Sequence, residues 1–171
     1  MKMQDTSGPT SSQARCCHPP AGDQLPVHEA GLDLFEVAVL DIMRFYFLSF
    51  ADPASQGWLR AMHTATTHFK AEAAPIIAFQ ILAMVQAMRC SRASVFIFSS
   101  PVCPECSAML SDEERHMMAA IHCIRCGRPN EARTHAMLLC QGNPTETFLM
   151  AVDALCAGAP HLTMRHQPTG V

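Results

Sequence analysis

Apolar residues dominate the stretch 27–50. On a helical wheel Asp33, Glu36, Asp41 and Arg44 fall on one arc, while Leu32, Phe35, Val39, Ile42 and Phe50 lie away from it. This predicts a long helix with a wide apolar side, ended by Ala51-Asp52-Pro53. A second helix is expected over 54–72. There Trp58, Met62, Ala65 and Phe69 recur at helical spacing, and Arg60, Thr64, Thr67 and Lys70 line another side. His63 and His68 fit surface or partly buried positions better than ligand positions. Pro75 opens or kinks a third helix over 76–89, which is apolar on almost every face and reads as a central helix covered by others.

The run 94–98, Ser-Val-Phe-Ile-Phe, is strand-like, and Pro101 and Pro104 interrupt the chain after it. Ser111-x-x-Glu114 is a capping box, so a short helix should start at Asp112 and run to His122. A helix over 131–140 stops at Gln141-Gly142. The next has Asn143 as its cap and Pro144 at its first position, buries Phe148, Val152 and Leu155, and closes at Gly158. Residues 1–25 are rich in Ser, Thr, Pro, Gly and Gln and read as a disordered tail; 159–171 reads as a loose tail. The expected fold is mainly α. It is a small bundle of about six helices: a helical region over 26–100, a four-cysteine knuckle inserted at 101–128, and a helical pair over 129–158 packed on the same domain.

Composition narrows the use of such a bundle. Apolar residues make up 49% of the chain, enough for a real core, and charged residues only 16%, below the ~25% of ordinary soluble domains. The net charge is -3, lysine occurs only as Lys2 and Lys70, and no basic block exists, so the chain lacks a broad nucleic-acid footprint. No membrane span is expected: 32–50 carries Asp33, Glu36, Asp41 and Arg44. The stretch 73–88 contains Gln80 and Gln86 and falls short of the roughly 20 apolar residues a span needs.

Nine cysteines require a reason. The first twenty residues carry no apolar signal-peptide stretch and the cysteine number is odd, which points to a reducing cytoplasm and to metal or redox chemistry. Cys103-Pro-Glu-Cys106 and Cys123-Ile-Arg-Cys126 give the spacing C-x2-C-x16-C-x2-C. Each tight C-x-x-C turn aims two thiolates at one point, and two such turns complete a tetrahedral zinc site. Five extended residues, 107–111, would travel ~16–18 Å. Eleven helical residues, 112–122, would return ~16 Å, so the pairs could share one structural Zn2+ ion held by Cys103, Cys106, Cys123 and Cys126. His122 or Cys140, and more remotely His116, are substitute ligands. Arg115, Arg125, Arg128 and Arg133 could offset the thiolate charge or serve as ordinary surface charges. Cys90, Cys140 and Cys156 read as core positions, and Cys16 and Cys17 as unstructured thiols.

The cysteine pattern resembles generic zinc-ribbon and treble-clef modules. Its spacing, after a helical stretch, is also similar to the zinc site of the bacterial flagellar regulator subunit FlhC. That resemblance covers Cys103–Cys126 and implies transcriptional regulation through a protein partner and DNA. Two capped helices, however, stand where a Lys- and Arg-rich stretch would be expected.

Three functions follow from these residues. Four cysteines leave zinc no open position, which favours a non-catalytic, zinc-stabilised regulatory or adaptor module acting through a protein partner, with homo-oligomers open. The alternative is a thiol redox sensor or zinc-release switch using the C-x-x-C pairs, without the βαβ pattern of thioredoxin-like enzymes. An enzyme of unrecognised type is the third. His28-Glu29 does not extend to H-E-x-x-H, Val102 precedes Cys103 where the deaminase signature needs Pro, and no nucleophile elbow or Walker loop occurs.

Overall fold

The computed structural model describes residues 25–158, so Cys16, Cys17 and both expected tails lie outside the described residues. The described chain is mainly helical. A two-residue strand β1 (Leu25–Pro26) and a 3-10 turn (Val27–Glu29) lead into α1 (Leu34–Ala51). After it come α2 (Gly57–His68), α3 (Ala74–Ser91), the single-turn α4 (Pro104–Ser107), β2 (Met109–Leu110), α5 (Asp112–Arg125), α6 (Pro129–Leu139) and α7 (Glu146–Ala157). β1 and β2 pair antiparallel, Leu25 opposite Leu110 and Pro26 opposite Met109. Val27 N extends the pairing by donating to Ala108 O at 2.9 Å.

The first helix starts at Leu34, later than the apolar run suggests, because Asp33 and Glu36 form a reciprocal capping box there. Gly57 lets α2 cross α1 closely: a Cβ at that position would lie 2.3 Å from Phe45 O. Of the expected stripe, Met62, Ala65 and Phe69 face the core and Trp58 does not. Ala61, Ala65 and Phe69 are buried, whereas Trp58 is exposed.

A corrected expectation concerns α3. It runs 18 residues, and by length and composition alone it passes for a membrane span. Ile77, Ile81, Met84, Val85 and Met88 are buried in the core, but Ile76 and Phe79 face outward and are more than half exposed. This helix is therefore covered on one side only. The α1–α2 hairpin and α7 occupy that side, and among the described residues no element covers the other.

The run 94–98 is not a strand. Phe96 turns inward and stacks on Phe47, with centroids 4.1 Å apart, while Val95 and Ile97 point outward. Its amides bond to carboxylates instead of to another strand: Ile97 N donates to Glu113, and Ser99 N to Glu114 Oε1 at 3.1 Å. Alternation alone cannot separate these two outcomes, because both satisfy the backbone.

The capping box at Ser111 and Glu114 starts α5 where the sequence places it. The helix then continues through Cys123 to Arg125, so the second C-x-x-C is the last helical turn and not a knuckle after it. At the other end α7 begins at Glu146 with Thr145 as N-cap, and Asn143 donates to Cys140 O instead of capping. One contiguous core joins α1, α2, α3, Phe96, Leu110, α5, α6 and α7.

Candidate functional site

Helices α1 and α5 run antiparallel and are joined at both ends by ion pairs. At one end Arg44 is 1% exposed. It donates from Nε to Glu114 Oε1 at 2.7 Å and from Nη2 to Oε2 at 2.9 Å. Its remaining donors reach Ser107 O at 2.7 Å and Met109 O at 2.6 Å. The fork geometry of a guanidinium suits this set of acceptors. At the other end Glu36, also fully buried, accepts from His122 Nδ1 at 3.0 Å and from Arg125 Nη1 at 2.7 Å. Arg125 also pairs with Asp33 at 2.6 Å. Burial alone would raise the Asp33 carboxyl, but the Glu36 amide and Arg125 outweigh it and hold it below its usual range. The polar arc of the first helix is thus a seam against α5, with Glu36 and Arg44 removed from solvent.

These contacts locate the cysteines. Ser107, next to Cys106, shares the Arg44 guanidinium with Glu114 in the first turn of α5. Cys123 lies nine residues beyond Glu114, ~13–14 Å along the helix. Cys123 and Cys126 thus close the C-terminal turn of α5, while Ser107, next to Cys106, is tied through Arg44 to its first turn. Among the described residues, no three His, Cys, Asp or Glu side chains gather closely enough to hold a metal ion. After Cys106 the chain leaves α4 at Ser107, turns at Ala108 with φ -74° and ψ -9°, and is extended over Met109, Leu110 and Ser111. Arg115 pairs with Asp112, Arg128 pairs with Glu131 and also lies beside the Cys126 and Cys123 sulfurs, and Cys90 is exposed, not a core residue.

A different constellation forms at the end of α5. Cys126 is the C-cap residue and exposed. Its Sγ lies 3.5 Å from His122 Nε2, the i,i+4 neighbour on the same helix face. A carboxylate only accepts, so His122 Nδ1 carries the proton shared with Glu36 and Nε2 presents its lone pair to the thiol. The result is a line thiol–imidazole–buried carboxylate. The Arg128 guanidinium lies beside the same sulfur.

Cys123 sits one turn back and is buried, with Sγ 4.0 Å from Glu131 Oε2. Burial pushes its thiol up, against the pull of Arg128. Burial also raises Cys140, and raises Cys156 to about 11. His122 was visible in the sequence only as a substitute ligand, and Glu36 only as one polar residue among four. The signals for their roles were the i,i+4 spacing of His122 and Cys126 and the Asp33-x-x-Glu36 cap.

No protein-family model, curated protein or solved structure matches this chain.

Proposed function

We propose that the chain is a thiol-responsive helical module in which Cys126 is the reacting sulfur and Cys123 the resolving one. The observation that carries this reading is the line from Cys126 Sγ through His122 to Glu36. The co-reactant is a hydroperoxide. The Cys126 proton passes to His122 Nε2, and sulfur attacks the peroxide oxygen. As the O–O bond breaks, the leaving oxygen takes the proton back from His122. Sulfur is oxidised by two electrons to sulfenic acid, and the peroxide is reduced to water or an alcohol. The Cys123 thiol then displaces water, and the S–S bond forms. A disulfide brings Cβ atoms to about 3.5–4.5 Å, closer than the ~5–6 Å of i,i+3 neighbours on a helix. The bond therefore requires the last turn of α5 to tighten at the C-cap residue Cys126.

Mass spectrometry after dilute hydrogen peroxide tests this. A Cys123–Cys126 disulfide is expected in the native chain, with sulfenic acid trapped in C123S and neither in C126S. H122Q should slow the reaction about tenfold or more. Equal rates in H122Q, or earlier oxidation of the exposed Cys90, would overturn it.

A second reading is a non-catalytic binding module that meets a protein partner, with regulatory use and cytoplasmic location as in the sequence-based expectation. The uncovered, uncharged side of α3 around Ile76 and Phe79 favours it. Replacing both by Ser should abolish self-association or partner capture without unfolding the chain; unchanged association would reject this surface. Structural zinc on Cys103, Cys106, Cys123 and Cys126 belongs to this second reading and requires the two pairs to meet. About one zinc per chain, lost in the C103S C123S variant, would establish it.

A further inference from the structure

A half-open cleft of about 340 Å³ lies between the first described segment, α5 and α6. That volume is in the range of small-molecule sites, roughly 300–1,000 Å³. Its floor is apolar, made by Leu25, Leu32, Leu110 and Met118. Residues Arg115, Met118, His122 and Cys123 recur at helical spacing, so one face of α5 supplies a whole wall.

Arg115 and Arg128 line the rim, one paired with Asp112 and the other with Glu131, together with the imidazoles of His122 and His135. The other acidic groups near α5 are committed elsewhere: Glu114 to Arg44, Glu113 to Arg92, and Glu36 to His122 and Arg125. Arg115 and Arg128 each hold their own acid through Nη1 alone, in exposed pairs of the weakly held kind. A guanidinium has five N–H donors, so both keep some for a ligand. His135 is fixed at the wall by His116, whose Nδ1 lies 3.1 Å from its own.

We infer that this cleft binds an amphipathic organic anion, specifically a free medium-chain carboxylate, its head on Arg115 and Arg128 and its chain on the leucine and methionine floor. An apolar floor beside two guanidinium groups matches such a molecule, and a carboxylate accepts from guanidinium groups in paired fashion. This inference does not depend on the reactivity of Cys126.

The test is titration of the full chain with octanoate below its micelle concentration, read by calorimetry and by thermal shift. Saturable binding with a raised Tm is expected. Octylamine, with the same chain and opposite charge, should not bind, and octanol should bind about tenfold more weakly or worse. R115Q and R128Q should each weaken octanoate about tenfold, while circular dichroism stays native. A119F, which fills the cleft from α5, should abolish binding, and R115Q remains the readout if A119F fails to fold. Octanol binding as tightly as octanoate, no change in R115Q and R128Q, or binding to anionic vesicles with no response to monomeric octanoate would each overturn the inference.

Discussion

The two ends of the α1–α5 seam use the same chemistry and reach opposite results. Around Arg44 and Glu114 both partners are at most 1% exposed, and backbone groups take up the remaining donors and acceptors. Around Glu36 the carboxylate is equally buried, but His122 is 45% and Arg125 24% exposed. A closed, fully satisfied pair can only hold helices in register. An open pair carries that load in part and leaves one imidazole nitrogen facing a thiol. Solvent access at a single partner thus separates a structural ion pair from a candidate reactive one.

The largest test breaks the closed end. Glu114→Ala strands the Arg44 charge inside the protein and should cost about 3–5 kcal/mol in urea unfolding. A loss under about 1 kcal/mol would mean that water reaches Arg44 and that the two ends do not differ. Glu36→Gln should cost less, about 1–2 kcal/mol, because water can serve the exposed sides of His122 and Arg125; a cost equal to that of Glu114→Ala would erase the contrast.

His122→Gln sharpens it further. Stability should change by no more than about 0.5 kcal/mol, as for an exposed site, while alkylation of Cys126 by iodoacetamide slows. If stability falls and alkylation does not, His122 is a structural residue.

The smallest expected effect is with pH. Burial, then the neighbouring His135, holds His116 below the usual histidine range. The unfolded chain therefore binds this proton more readily than the fold, and the fold loses stability as pH falls through about 6.5 toward the lowered value. His116→Asn should flatten that part of the profile, and an unchanged slope between pH 7 and 5 would show that His116 contributes nothing.

Much of the fold was legible because its signals are local. Ser111 and Glu114 place the start of α5 by their own side chains, and Pro75 opens α3 in its first turn. What escaped was non-local. Whether the run 94–98 forms a strand depends on the Glu113 and Glu114 carboxylates, fifteen or so residues away, taking the amides of Ile97 and Ser99. That α3 is covered on one side only depends on where α7 lands. The four-cysteine spacing is a strong local pattern, but convergence of the pairs depends on the direction of the chain after Cys106. Arg44, from α1, fixes that direction by donating to Ser107 O and Met109 O. The thiol–imidazole–carboxylate line joins residues 86 apart in sequence, and only the His122–Cys126 half of it has a local period.

Arg44 binds three separate stretches of chain at once: its own helix, the carbonyls of 107 and 109, and the first turn of α5. None of the three can open without stranding its buried charge. They should therefore behave as one cooperative unit. In native-state hydrogen exchange, amides in the middle of α1, at Met109–Leu110 and in the second turn of α5 should share a single opening free energy. The exposed turn at Gly127, whose amide donates to Ile124 O, lies outside this unit and should open at a lower free energy.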